Sequence, residues 1–259
     1  MQLQALPALS DNYIWLLRDD DGGAVVVDPR QAAPVLAAAG TGDFRPTAVL
    51  LTHHHPDHIG GTGELQARWP GLPVFAPFDD RIDCATNRVA GDGRITVGGY
   101  GFDVIAVPGH TTSHIAFHLD DGRESLLFCG DTLFSLGCGR LFEGSAAQMH
   151  GSLSRLAALP DATRVCCGHE YTLSNAAFAR VVEPDNPALR RRTEEAQAMR
   201  HAERPTLPST IAQERACNPF LRCDQPAVIA AVEQRLGRAP EGPVEVFAEL
   251  RRWKDGFAA

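Results

Sequence analysis

At 259 residues the chain has room for one large domain or two small ones, and 44% apolar with 22% charged residues is the composition of a soluble globular protein. Its net charge of −8 is uneven: residues 1–170 carry 11 Arg against 20 Asp and Glu, whereas 171–259 carry 13 Lys and Arg against 12. No apolar run approaches the ~20 residues that span a bilayer, and the acidic front half speaks against a nucleic-acid partner, which needs a basic footprint. Met1-Gln2-Leu3-Gln4 has neither the basic nor the apolar region of a secretory signal. Seven irregularly spaced cysteines, an odd number, argue against a disulfide framework. A cytoplasmic protein, with neither membrane nor nucleic acid as partner, is the expectation.

The front half alternates short strands and turns. Tyr13–Arg18 and Ala24–Asp28 read as a hairpin closed by Asp20-Asp21-Gly22-Gly23, and residues 31–39 as a helix stopped by Gly40. A short apolar strand over Thr47–Thr52 leads into His53-His54-His55-Pro56-Asp57-His58, and a helix near 62–68 follows. Strands are expected at 73–76, 102–107, 114–119, 125–129 and 163–167, with a helix near 145–158. Cys166 and Cys167 read as small buried apolar residues of the last strand. Beyond Tyr171 the pattern turns helical over 172–183, 186–203, 209–215, 224–236 and 243–254, with Pro- or Gly-bearing joints.

Five of the seven residues from Thr52 to His58 can bind a metal. In an extended segment His53 and His55 face the same side, while Asp57 and His58 sit where the chain turns. One pair of donors with a second just beyond it is a layout for two adjacent ions. His54 points the other way and reads as supporting or surface. Further metal-type residues close strands: Gly109-His110, Gly130-Asp131 and Gly168-His169, where each glycine permits a tight turn that aims the side chain at a common mouth. His114, His118, His150 and His201 lack that context, and His118 reads as a satisfied sheet residue.

His53–His58 as HxHxDH, then His110, Asp131 and His169 in that order, resembles the metallo-β-lactamase superfamily. Gly137-Cys138-Gly139-Arg140-Leu-Phe142-Glu143-Gly144, Cys167-Gly-His-Glu-Tyr-Thr172, Pro208-Ser-Thr210, Asn218-Pro-Phe220 and Arg251-Arg-Trp-Lys254-Asp255 are similar to glyoxalase II, the hydroxyacylglutathione hydrolases. The resemblance implies an α+β protein, an αββα sandwich over 1–170 followed by a small helical substrate domain over 171–259. It places His53, His55 and His110 on one metal and Asp57, His58 and His169 on another, with Asp131 bridging. Zinc is the first expectation, with iron or manganese compatible with the same donors. Asp57 and Asp131 are the candidate catalytic carboxylates.

The implied reaction is hydrolysis of S-D-lactoylglutathione to glutathione and D-lactate by a hydroxide bridging two metal ions, the second step of methylglyoxal detoxification. The leaving thiolate, with a pKa near ~8.5, demands no strong acid. Arg140, Phe142, Tyr171, Arg251 and Lys254 are the implied contacts of the glutathione moiety, the cations matching its glycyl carboxylate. Lys254 is the chain's only lysine, against 23 arginines. Arg140 stands where relatives have Lys, and Phe142 where many have Tyr. No obligate protein partner is implied, and a monomer is expected. The rival enzyme is a persulfide dioxygenase of the same fold with a single iron, for which some of the second-site ligands would be unnecessary.

Overall fold

The computed structural model describes residues 1–42 and 44–258, which form two compact units. One comprises Met1–Ala106 with Ser113–Gly130, the other Val107–Thr112 with Asp131–Ala259.

In the first unit, β1 (Gln2–Ala8), β2 (Asn12–Arg18), β3 (Gly23–Val27), β4 (Arg45–Leu50), β5 (Val74–Pro77) and β6 (Asn87–Val89) lie in that order in one sheet. β1 to β3 are antiparallel, Arg18 of β2 standing opposite Ala24 of β3 as the expected hairpin requires, and β3 to β6 are parallel. α1 (Ala32–Gly42) and α3 (Thr62–Arg68) cover one face, burying Ala32, Val35 and Leu65 against Ile14, Leu16, Val26 and Val49. Each large aliphatic side chain so removed from water contributes about 1.5–3 kcal/mol. The helix expected to stop at Gly40 runs on to Gly42. Glycine weakens a helix by ~1 kcal/mol and does not forbid it. The short α2 (Pro56–Ile59) precedes α3.

Four antiparallel strands of the same unit follow: β7 (Arg94–Val97), β8 (Tyr100–Ala106), β9 (Ile115–Asp120) and β10 (Ser125–Gly130). Phe102, Phe117 and Phe128, one from each of β8 to β10, are fully buried and meet edge-on or tilted at 6.5 Å.

The second unit holds the hairpin β11 (Leu133–Phe134) and β12 (Gly137–Cys138), then α4 (Ala146–Ala157), β13 (Arg164–Cys167), α5 (Thr172–Val182), α6 (Pro187–His201), β14 (Ser209–Thr210), α7 (Ile211–Cys217), α8 (Pro226–Leu236) and α9 (Pro243–Asp255). Three of these helices, α4, α6 and α7, begin where side chains satisfy their first amides. Ser145 with Gln148 and Thr210 with Gln213 form capping boxes, and Asn186 caps α6. Gly237, in the left-handed region at φ 71°, closes α8. Phe178, Phe220 and Phe247 are buried, the Phe220 ring touching the other two, and Trp253 of α9 meets Phe178 edge to face at 5.4 Å. This aromatic core fixes α9, which carries Arg251 and Lys254. All seven cysteines are thiols, Cys166 and Cys167 buried in β13 as expected. Among the described residues no helix is long and apolar enough to cross a membrane.

Candidate metal centre

In the first unit, β4 ends at Leu50 and the chain leaves it through Thr52 into the donor run. Residues 52 and 53 form a bend and 54 and 55 are irregular rather than strand, yet His53 and His55 still come together, His53 Nε2 lying 3.0 Å from His55 Nδ1. The hub of this half is Asp28, just past β3. Its backbone is left-handed at φ 49°, a region a short polar side chain tolerates better than most. Asp28 Oδ1 accepts from the Thr52 amide at 2.9 Å, and Oδ2 accepts from Thr52 Oγ1 at 2.8 Å and from His58 Nδ1 at 2.9 Å. Thr52 Oγ1 also stands 3.1 Å from His53 Nδ1. With its own proton on Asp28, it accepts from that ring. Both imidazoles therefore keep a proton on Nδ1 and present Nε2 as a lone pair, the tautomer a metal ligand needs.

Asp28 reaches His58 because Gly61 lets the chain pass close by. A Cβ on Gly61 would lie 2.4 Å from the Gln31 carbonyl carbon, and its amide donates to Pro29 O at 2.7 Å. Asp57 Oδ2 accepts from buried Asn12 at 3.2 Å and lies 3.8 Å from His58 Nε2. Outside the donor set, His54 Nδ1 stands 3.4 Å from Asp79. Arg81 and Ser113 hydrogen bonds hold the Asp79 carboxyl well below the usual carboxylate range. Buried His114 stacks on His53 at 4.5 Å. His118 is buried in β9 against Ser125 Oγ, and that burial lowers its pKa.

In the second unit, Asp131 Oδ2 lies 3.6 Å from His110 Nε2 and 3.3 Å from His169 Nε2. Two ring nitrogens thus converge on one carboxylate oxygen, all three residues buried. His110 Nδ1 donates to the Arg140 carbonyl at 2.9 Å, leaving Nε2 for the carboxylate side. His169 is held by Tyr171, whose ring lies flat against it at 4.6 Å and 10°, with the edge of Phe134 on both. Of the three glycines that precede these donors, Gly130 is left-handed at φ 48° and Gly109 sits at φ 154°.

The implied glutathione contacts all lie in this second unit. Phe142 is exposed, with its ring edge on His110 at 5.2 Å. Arg140 is exposed and its Nε lies 3.7 Å from Asp255. Lys254 donates to Ser174 O at 3.1 Å, and its pKa is lowered by burial first and then by Arg251 and Arg140. Arg251, on the same helix, is more enclosed than Lys254. It is buried, donating to Cys138 O at 2.8 Å and to Asp255 at 2.9 Å, with its guanidinium over the Phe220 ring.

Sequence reasoning missed Asp28, Asn12, His114 and Asp79. None lies in a metal-type pattern. The one available signal was Asp28 at the end of an apolar strand, a place where a carboxylate needs a buried partner.

Two family models match the chain, the metallo-beta-lactamase superfamily over residues 9–169 and the hydroxyacylglutathione hydrolase C-terminus over residues 170–257. The hydroxyacylglutathione hydrolase of Xanthomonas axonopodis pv. citri (strain 306) is 60% identical over 259 residues, the whole of both chains. Among solved structures, the BLEG-1 B3 metallo-beta-lactamase superposes with a TM-score of 0.66 at 23% identity, over 85% of this chain and 99% of that one, a likeness of fold. A protein solved in a di-iron-bound form is 30% identical, with a TM-score of 0.55, over 65% of this chain and 92% of its own.

Proposed function

The chain belongs to the hydroxyacylglutathione hydrolases, the glyoxalase II family within the metallo-beta-lactamase fold, and from that premise we propose that it hydrolyses S-D-lactoylglutathione to glutathione and D-lactate. The reading places it in the cytoplasm as a monomer, with residues 1–170 as catalytic domain and 171–259 as substrate domain.

One observation carries the choice of substrate. Three cations, Arg140, Arg251 and Lys254, share a neighbourhood with the counter-charge of Asp255, and the Lys254 ammonium is disfavoured by burial and by the other two. Such a place favours an incoming carboxylate, the group at the glycyl end of a glutathione thioester. Arg140 and Lys254 would contact it. Arg251 would add charge while holding Cys138. Phe142 and Tyr171 would flank the peptide.

The donors suit two divalent ions. His53, His55 and His110 would hold one and Asp57, His58 and His169 the other, with Asp131 shared. Neutral imidazoles and carboxylates are ligands zinc accepts, and iron or manganese as well. The di-iron relative supports a two-ion reading and keeps iron open. Such ions, when bound, lower the pKa of water to near neutrality and polarise a carbonyl.

The rest falls to the chain's own residues. Asn12 fixes the Asp57 carboxylate, which orients the attacking water, and Asp28 fixes His58. The cations seat the thioester end-on, so proximity contributes to the rate. No side-chain nucleophile or strong acid is required, because a thiolate leaves readily near neutral pH. A single-iron dioxygenase would not need all of the second donor set, whose completeness here favours hydrolysis. The decisive assay follows loss of the thioester absorbance of S-D-lactoylglutathione with and without chelator. Turnover that the chelator abolishes is expected, and no turnover in the metal-loaded chain overturns the reading.

A further inference from the structure

Residues 139–144 run as a strap alongside the Pro108–Thr112 loop, all within the second unit. The strap holds His110 from several directions: the Arg140 carbonyl accepts from its Nδ1, the Phe142 amide donates to its carbonyl at 3.2 Å, and the Phe142 ring sets an edge on the imidazole. It also touches Asp131. The Gly139 amide donates to Thr132 O at 3.1 Å, and a Cβ on Gly139 would come within 1.9 Å of the Asp131 carbonyl oxygen, so only glycine fits there. Gly144 closes the far end, its amide donating a hydrogen bond to Gly109 O at 3.0 Å. One side chain fastens the strap: Glu143 Oε2 accepts from both the amide of Thr112, at 2.8 Å, and its hydroxyl, at 3.0 Å. At the near end, Arg251 holds Cys138 O and Arg140 lies beside Asp255, so the strap is tied to α9 as well.

We propose that this strap links the glutathione site to the metal donors, with Glu143 as the positioning residue that latches it across the His110 loop. The inference rests on the reading that Arg140 and Phe142 contact the peptide. Within one residue, Arg140 then offers its side chain to the ligand and its carbonyl to the imidazole. A ligand that orders the Arg140 side chain also orders the carbonyl that fixes His110. Linkage makes the effect reciprocal: peptide binding tightens the hold on the ion at His110, and a seated ion tightens peptide binding. Glu143 is exposed and its carboxylate caps Thr112 at the surface, so the fold does not depend on it for core packing.

The test loads the chain with zinc and follows extraction by a chromophoric chelator, with and without saturating S-methylglutathione, a probe whose blocked thiol does not itself bind the ion. Glu143→Ala should release one of the two ions about tenfold faster, the order of one charge-assisted contact. Glu143→Gln, whose amide oxygen still accepts from Thr112, should stay within about twofold of wild type. S-methylglutathione should slow extraction in the wild type and in Glu143→Gln, and much less in Glu143→Ala. Thermal midpoints of the three metal-free proteins should agree, which separates the latch from a general loss of fold. Equal extraction rates in all three proteins overturn the inference, as does equal loss in Glu143→Ala and Glu143→Gln. If calorimetry detects no S-methylglutathione binding to the wild type, the substrate reading fails instead. The ligand-free extraction rates still decide the latch.

Discussion

The two units solve the same problem, holding ring nitrogens and carboxylates in fixed directions, by opposite means. In the first, His53, His55, Asp57 and His58 are nearly contiguous, and one buried carboxylate, Asp28, orders Thr52, His53 and His58 together. In the second, His110, Asp131 and His169 come from separate strand ends. Each is held by its own neighbours: a backbone carbonyl for His110, a close backbone approach at Gly139 for Asp131, and a stacked tyrosine for His169. A contiguous cluster can share one hub and then depends on it. A dispersed set spreads the task over many weaker contacts, any one of which is worth less. The difference predicts where single substitutions are severe and where they are graded.

The largest effect should come where dispersal ends, at the carboxylate on which two rings converge. Asp131→Ala removes the oxygen shared by His110 and His169. If it serves both ions, both are lost and turnover falls by about a thousandfold or more, several kcal/mol of transition-state stabilisation. Elemental analysis of the purified variant checks the first half and the thioester assay the second. One ion retained at full occupancy would break the bridging assignment.

Next comes the hub. Asp28→Asn keeps the size of the side chain but replaces one acceptor oxygen with an amide that has protons of its own, so Thr52 and His58 cannot both be satisfied as they are now. Loss of such an orienting partner costs about 10- to 100-fold in metal affinity. Competition with a chelator of known affinity measures it. An effect no greater than that of Glu143→Ala would mean that the contiguous half is no more hub-dependent than the dispersed one.

A third contrast lies on α9. Lys254 is half-buried with one backbone acceptor, whereas Arg251 is buried with two partners. Lys254→Ala should raise KM about tenfold with kcat and thermal midpoint little changed, since the contact is remote from the thioester. Arg251→Ala should raise KM and also cost about 1–3 kcal/mol of stability, because Cys138 O loses a buried donor. Urea denaturation of the metal-free variants separates the two. Equal stabilities would mean that the Arg251 contact with Cys138 O contributes nothing to the fold.

What the sequence made legible follows the same division. The His53–His58 spacing announces itself, because six positions so dense in ligand-type residues suit little besides a metal. The αβ pattern and the five tail helices are legible from periodicity and from Pro and Gly joints. Asp28 is not: it becomes a hub only because Gly61 lets the chain pass close by, a relation between residues far apart in sequence. Glu143 reads as a surface acid until Thr112 is seen opposite it. The burial of Arg251 is hidden for a related reason. Its spacing from Lys254 suggests a shared helix face, but the side chain turns inward to Cys138, which lies in a hairpin too short to leave a periodic signal.

The smallest effect concerns a histidine outside both donor sets. His118 sits in β9 opposite Asp103 of β8 and Leu127 of β10, with Ser125 Oγ at 3.1 Å. Burial lowers its pKa, while Asp120 and Asp103 pull the other way without overcoming it. The unfolded chain, with an ordinary value near ~6.5, therefore binds the proton more readily than the folded one. The stability this neutral ring contributes is complete above about pH 6.5 and is lost as pH falls below that through the folded value. A difference between two proteins cancels the other pH-dependent contributions they share, so that difference is the informative quantity. His118→Gln can still bond Ser125 but has no proton to gain. The gap between its thermal midpoint and that of the wild type should shift in the variant's favour on going from pH 7 to pH 5. Metal content and turnover at pH 7 should match the wild type, since the residue touches neither half of the site. A pH-independent gap would mean that the ring does not titrate in this range. Loss of an ion would instead draw β9 into the metal centre and undo the separation on which the comparison of the two units rests.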